Sequence, residues 1–433
     1  PRTSSHGLHE YIEEVKSKVV CTLDLAYEKV KKAIKDTAVK HVIAISPSDS
    51  LSLFKKVAYK LSNRGNTKYD DNVIFWNDFI EKGEGIPDIK PEEYDPEHAI
   101  LIVHTGGTTG SPKGVMLSDK AVNALAMQMG LNRYKRKERF LNIMPPFIAY
   151  GFCCGVHTPL TAGGEVIVIP NFEPKDFGTL LNKYHPEHTA GVPLHYQNLV
   201  TDPAMKKADL SYIISTGSGG DGITRQAEES VNEFLKSHNS KYLLCKGYGM
   251  TEVSAGATAC IKDINKCGSV GIPLFLTTIG IFKPGSDEEL DFGCEGEICI
   301  STPTMMMGYY NMPDETEKVI RKHSDGKLWV HTGDIGMMDK DGYVFIINRI
   351  KRMIIRHDGF KVFPSAIEDV ICTIPGVELA CAVAISDNSK KQGDLPFVFV
   401  KPSSDFLGDI NELEKSIRNI CSIELPEYVQ PVG

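Results

Sequence analysis

The segment HTGGTTGSPKGV, residues 104 to 115, packs glycines, two adjacent threonines and a lysine between the apolar run HAILIVH and the helical pattern SDKAVNALAMQM. Such a composition bares backbone N–H groups and hydroxyls toward an anion. It is not a Walker A loop, where the lysine follows glycine and precedes Ser or Thr. Here Lys113 lies between Pro112 and Gly114. In GYGMTEVSAG (247–256), Tyr248 stands between two glycines, which leaves an aromatic face open to a flat ring. Thr251 and Glu252 then set a hydroxyl beside a carboxylate. A carboxylate next to bound phosphates is a natural magnesium ligand. In WVHTGDIG (329–336), Asp334 follows an apolar strand pattern and is placed to chelate a ribose diol. A glycine-rich turn, a solvated strand end and an Asx-turn are the plain readings of the three segments taken one at a time.

The fourth cluster is NRIKRMIIRHDGFKVFP (348–364). It gathers Arg349, Lys351, Arg352, Arg356 and Lys361 around one apolar strand pattern. A solvated face is one reading and a hinge bearing polyanion contacts is the other. Taken together, the four clusters describe a site for an ATP-type ligand.

The elements that must position these groups alternate in type. KSKVVCTLD, AYEKVKKAIKDT and VKHVIAISP read as strand, helix, strand. Residues 65 to 98 are polar and Pro/Gly-rich, a connector holding one short helix. From 101 to 252 strands and helices alternate again, which favours a layered α/β domain. Residues 268 to 346 turn β-rich, and a small α+β texture starts after Asn348. The fold class expected is α/β: a large domain over 1–350, made of layered α/β subdomains and a β-rich subdomain, then a small mobile α+β domain over 351–433.

Bulk properties narrow the function. With 433 residues the chain exceeds one ordinary core. A net charge of -8, with 42% hydrophobic and 24% charged residues, argues against a nucleic-acid surface. No apolar run reaches the roughly 18 residues of a membrane span, and the polar N-terminus lacks a signal-peptide core. The default localisation is cytoplasmic. Eleven cysteines without a CxxC pair read as reduced, buried thiols, not as a metal framework. The HxxH at His185 and His188, broken by Pro186, reads as surface chemistry without metal.

The ordered run HTGGTTGSPKGV, PPFIAYG, STGSGGDGIT, YGMTE, GSVGIP, GEICISTPTMMMGYYNMPDET, HTGDIG and NRIKRMIIRHDGFKV resembles the adenylate-forming superfamily. That superfamily holds acyl-CoA synthetases, firefly luciferases and peptide-synthetase adenylation domains. The resemblance implies that a carboxylate attacks the α-phosphate of ATP, and that a thiol, usually that of CoA, then displaces AMP. It implies that Thr105, Gly106, Thr108, Thr109, Gly110 and Lys113 hold phosphates. Gly219, Gly220 and Asp221 would line the adenine, with Tyr248 stacked on it. Thr251 would contact the α-phosphate, Glu252 bind magnesium, and Asp334 and Arg349 bind ribose. Lys351 falls at the hinge position, and Gly359 and Lys361 fall near the CoA pantetheine. Phe147, Tyr150, Val192, Gly247, Ser254 and Gly256 would shape an acyl pocket suited to a fatty or other hydrophobic acid.

Two departures stand out. The aromatic segment has Ile148 where a His is common, so any gating passes to Phe147 or Tyr150. Both termini look truncated: the pattern begins partway in, and the chain stops at LPEYVQPVG, before the glycine-lysine motif carrying the family's catalytic lysine. Slow adenylation by this polypeptide is the expectation. An ATP-binding relative without ligase activity and a domain loading a carrier-protein thiol are the alternatives, with luciferase-type oxidation rarer. The partners expected are a small carboxylic acid and CoA; oligomeric state is not legible.

Overall fold

The computed structural model describes residues 4–62, 68–87, 90, 93–105, 113–130, 133–169, 172–352, 354–356, 361–386, 393–404 and 406–433. Two compact units divide the chain, Pro1–Tyr94 and Asp95–Gly433.

In the first unit, β1 (Val19–Leu23), β2 (His41–Ile45) and β3 (Val73–Phe75) pair in parallel in that order. The helix Tyr27–Ala33 crosses from β1 to β2 and buries Tyr27, Val30 and Ala33, one helical stripe. The βαβ reading therefore holds. β3 falls inside the stretch read as a connector. Three residues are too few to show a period of two, and pairing with β2 decides their state.

The second unit opens with β4 (Ala99–His104) and β5 (Gly114–Ser118), an antiparallel hairpin. The sequence reading ran from strand through loop directly into helix. A second strand, β5, intervenes before the helix Asp119–Gly130 and pairs antiparallel with β4. Next come β6 (Arg139–Asn142), β7 (Glu165–Val168), β8 (His188–Gly191), β9 (Ser215–Ser218) and β10 (Cys245–Tyr248). They run parallel in the order β7-β6-β8-β9-β10. β11 (Thr258–Ala259) and β12 (Ile272–Pro273) extend that sheet antiparallel. Chain order reverses at β6, and open α/β sheets bind ligands beyond the carboxyl ends of their strands near such a point.

The helix Arg225–Ser237 shows how the sheet is covered. Thr224 Oγ1 accepts from the Ala227 N–H at its start, and Glu228, Val231 and Leu235 fall on one buried stripe. Val231 and Leu235 join Leu141, Phe177, Tyr196 and Leu244 in the largest hydrophobic cluster.

The β-rich part follows. β13 (Thr278–Phe282) and β14 (Gly296–Ser301) pair with each other, while β15 (Gly308–Tyr309) crosses to pair with β5. β16 (Ile320–Lys322), β17 (Leu328–Met338) and β18 (Val344–Arg349) complete the sheet around β17. Last come the short β19 (Ile354–Ile355) and β20 (Lys361–Val362), then the ladder of β21 (Val377–Ser386) with β22 (Asp394–Pro402). The helices Pro364–Cys372 and Ile410–Glu424 share a cluster with these strands through Ile354, Val362, Ile367, Ile371 and Cys421.

Cys153, Cys154, Cys245, Cys260, Cys299 and Cys421 are buried thiols as expected, but Cys21, Cys267, Cys294 and Cys381 are exposed. His188 corrects the surface reading of HxxH. It sits inside the parallel sheet, buried, with Nδ1 2.9 Å from Ser215 Oγ and Nε2 2.9 Å from Glu138 Oε2. Among the described residues no helix is long and apolar enough to cross a membrane.

Candidate active site

Pairing of β15 with β5 sets Tyr309 opposite Val115, two residues beyond Lys113. Lys113 Nζ lies 4.8 Å from the centre of the Tyr309 ring and pairs with Glu315. The Tyr309 hydroxyl donates to Glu252 Oε1 at 2.7 Å. Burial first, and the Glu252 charge second, push the Tyr309 hydroxyl pKa up, so it remains a donor at neutral pH. Hydrogen bonds from Lys113 and then Lys318 hold the Glu315 carboxyl down at about 2. Neither the motifs nor their spacing singled out Tyr309 or Glu315. The partnership arises because β15 returns to β5 across nearly 200 residues of chain.

Glu252 belongs to the short helical turn Thr251–Val253 and is buried. Its side chain takes a neutral hydroxyl, and among the described residues no cation pairs with it. A buried carboxylate without a counter-cation is costly unless a cation joins it. The donor set therefore fits magnesium, which Glu252 would hold.

The second group lies one turn away in the same segment. Tyr248 donates its hydroxyl to Asp334 Oδ2 at 2.6 Å, and Arg349 Nε lies 3.0 Å from Asp334 Oδ1. Asp334 and Arg349 face each other in the β17–β18 register. Burial raises the Asp334 carboxyl pKa, against the pull of Tyr248 and Arg349. Asp334 sits inside the long strand β17, not in the turn that TGD suggested. Gly333, at φ +71°, supplies the local kink, and its N–H donates to Glu297 Oε1 at 3.1 Å. Glu297 Oε2 is held in turn by His331 Nδ1 at 3.0 Å. Glu297, Cys299 and His331 are a buried trio with ligand atoms within 4.8 Å of one another, unseen in the sequence because they come from two strands.

The backbone of 247–256 is tightly constrained. A Cβ on Gly249 would sit 2.0 Å from the Ala255 carbonyl oxygen, so only glycine fits there. Ser254 (φ 58°) and Ala255 (φ 93°) adopt left-handed conformations, and Ser254 Oγ donates to the Thr304 carbonyl at 2.9 Å.

A cavity of about 270 Å³ opens between this segment and the parallel sheet. Gly219, Gly220, Tyr248 and Thr251 line it on the side of the strand carboxyl ends, and Gly220 reaches φ +83° there. Tyr150, Gly247 and Gly256 line it as well. Phe147, Val192 and Ser254 do not: Phe147 is exposed and Ser254 is buried behind the turn. Tyr150 is no free gate, since its hydroxyl faces the Gly191 and Gly217 carbonyls at 3.2 and 3.3 Å. Asp221 is exposed and caps its own turn through the Gly222 N–H.

Of the phosphate-loop candidates, Thr105 and Lys113 flank the hairpin end, joined by the Thr105 N–H to the Lys113 carbonyl at 3.0 Å. Gly106, Thr108, Thr109 and Gly110 lie outside the described residues, as do Gly359 and the side chains of Lys351 and Lys361. The basic cluster is not a free polycation. Arg349 is paired with Asp334, and Arg352 with Glu368 at 2.5 Å.

The profile of the AMP-binding enzyme family matches residues 1–310. The chain belongs to the AMP-binding enzyme family. A long-chain-fatty-acid–CoA ligase of Bacillus subtilis is 30% identical to this family member over 97% of the chain and 74% of its own length. A probable 4-coumarate–CoA ligase of Dictyostelium discoideum is 31% identical over 90% of the chain and 71% of its own length. The fold is shared with ATP-bound MatB from Rhodopseudomonas palustris, at 22% identity and a TM-score of 0.79 over 100% of this chain and 77% of that one. It is equally shared with the amide bond synthetase McbA from Marinactinospora thermotolerans, 21% identical, TM-score 0.79, over 100% of this AMP-binding enzyme and 78% of McbA.

Proposed function

We propose that this AMP-binding enzyme is an ATP-dependent carboxylic acid–CoA ligase that forms an acyl-adenylate and then a thioester, on a hydrophobic acid. One observation carries the reading. The segment 248–252 joins two polar clusters, Lys113–Tyr309–Glu252 and Tyr248–Asp334–Arg349, and the cavity opens between that segment and Gly219–Gly220.

The physical problem is to bring two anions, a carboxylate and the α-phosphate, into line. Lys113 supplies one cation and the Thr251 hydroxyl a donor at the cavity wall. Magnesium, when bound at Glu252, would neutralise phosphate charge as a Lewis acid. Tyr248 offers its ring to adenine while its hydroxyl fixes Asp334, and Asp334 with Arg349 addresses the ribose. The apolar walls, among them Met129, Ile148, Ala149 and Leu274, exclude water from the acid. On this reading residues 351–433 form the small domain that turns about Lys351 between the half-reactions, bringing Gly359 and Lys361 toward CoA.

The test is a panel of saturated and aryl acids with ATP and magnesium, read by ATP–pyrophosphate exchange and then by CoA-dependent AMP release. Exchange with at least one hydrophobic acid, followed by thioester formation, is expected. Absence of exchange with every acid overturns the reading; exchange without CoA-dependent discharge overturns the choice of thiol.

A further inference from the structure

The acyl cavity holds a cation for which the adenylation chemistry has no use. Arg133 follows the helix Asp119–Gly130, with its N–H donating to the Gly130 carbonyl at 3.2 Å, and its side chain lines the cavity. It is only partly exposed. Among the deeply buried charged side chains, Lys246 has Glu228 and Asp334 has Arg349, while Glu252 takes only the Tyr309 hydroxyl. Among the described residues no carboxylate pairs with the Arg133 guanidinium and no hydrogen bond holds it. Tyr134 and Cys245 are among the ionisable groups near it. Burial lowers its pKa, but a guanidinium starts so high that it stays cationic. Its neighbour Tyr134 also lines the cavity and meets His188 edge-on, ring centres 4.6 Å apart.

The position of this pair along the cavity matters. His188 and Ser215 pair at the amino ends of β8 and β9, whereas Gly219 and Gly220 lie past the carboxyl end of β9. Four residue steps at about 3.3 Å each separate the two levels by roughly 13 Å. Tyr134 thus lies remote from the end at which Tyr248 and Thr251 stand, and Arg133, next to it in the chain, lines the same cavity. A purely hydrocarbon tail would seal a guanidinium away from water with nothing to accept its hydrogen bonds, which costs heavily.

We propose that Arg133, aided by Tyr134, is a specificity-determining residue for the far end of the acid, and that the preferred substrate is a hydrophobic chain ending in an oxygen acceptor such as a carboxylate or hydroxyl. The inference rests on the acid–CoA ligase reading and narrows its substrate class.

The experiment compares decanoic, ω-hydroxydecanoic and decanedioic acids with the full chain, by pyrophosphate exchange, in the wild type and in Arg133→Met and Arg133→Lys. The oxygenated acids should exceed decanoic acid roughly tenfold or more in kcat/KM. Arg133→Met should erase that preference through KM while leaving decanoic acid activity in place, and Arg133→Lys should restore part of it. Equal use of the three acids by the wild type overturns the inference and leaves the ligase reading standing. So does an equal loss on all three in Arg133→Met. Failure of every acid overturns both. Because the wild-type comparison decides the matter, a poorly folding variant does not obscure the outcome.

Discussion

Tyr309 donates its hydroxyl to a carboxylate oxygen of Glu252 at 2.7 Å, and the ring of the same tyrosine lies under the ammonium of Lys113. One aromatic side chain therefore spaces the cation expected at the phosphates from the carboxylate expected at the metal. Its placement depends on the two-residue strand β15 lying against β5.

Replacing that hydroxyl isolates its contribution. Tyr309→Phe keeps the ring under Lys113 but leaves Glu252 without its donor. A loss of about 1–3 kcal/mol in stability without nucleotide is expected. Magnesium ATP should restore much of it. Thermal melts with and without magnesium ATP check this, and an equal loss in both would place the bond outside the site.

Glu315 pairs with Lys113, and on the proposed function it would compete there with phosphate. Glu315→Gln should lower the KM for ATP by about twofold to fivefold, as expected of a half-buried ion pair open to solvent. Lys113→Met should instead raise it. The pair also has an acid signature. The Glu315 carboxyl is depressed from 4.5 to about 2, so its stabilisation is present above the ordinary value and lost as pH falls through that window. Glu315→Gln should flatten the melting temperature over the same range.

Asp334 runs the other way. Burial raises its carboxyl pKa, so the native state holds the proton more tightly than the unfolded chain does. Its ionised form then weakens the fold as pH rises through the folded pKa. On the proposed function, the ionised form is the acceptor for the ribose hydroxyls. The KM for ATP should therefore climb at a higher pH than an ordinary carboxylate would dictate, and Asp334→Asn should abolish that limb. A limb that survives in Asp334→Asn would assign it to another group.

The pair Lys246–Glu228 is buried on both sides, with 6% and 1% side-chain exposure. Glu228 Oε2 also accepts from the Gly268 N–H at 3.0 Å. Lys246→Met strands a charge and should cost about 3–5 kcal/mol by urea unfolding, whereas Lys246→Met with Glu228→Leu should recover much of it.

Some of this was legible along the chain. The βαβ start, the helix after the phosphate loop and the terminal α+β texture follow from local periodicity, which neighbours within one or two turns dictate. β3 and β5 escaped because strands of three to five residues carry little period. The site shows the same division. Lys113, Tyr248, Glu252 and Asp334 stood out because glycines and polar residues crowd around each of them. That Phe147, Val192 and Ser254 do not line the cavity was not legible, because direction, inward or outward, depends on what a turn packs against.

The amino-acid sequence by itself determined the family, through motifs whose chemistry and order need no coordinates. Only the tertiary structure decided who meets whom. It set Tyr309 between Lys113 and Glu252, paired Asp334 with both Tyr248 and Arg349, and put Arg133 on the cavity wall with no counter-ion among the described residues. The reason is that motif identity is a local property. A hydrogen bond between strands distant in the chain is fixed by sheet register, and register is set by the packing of the whole core.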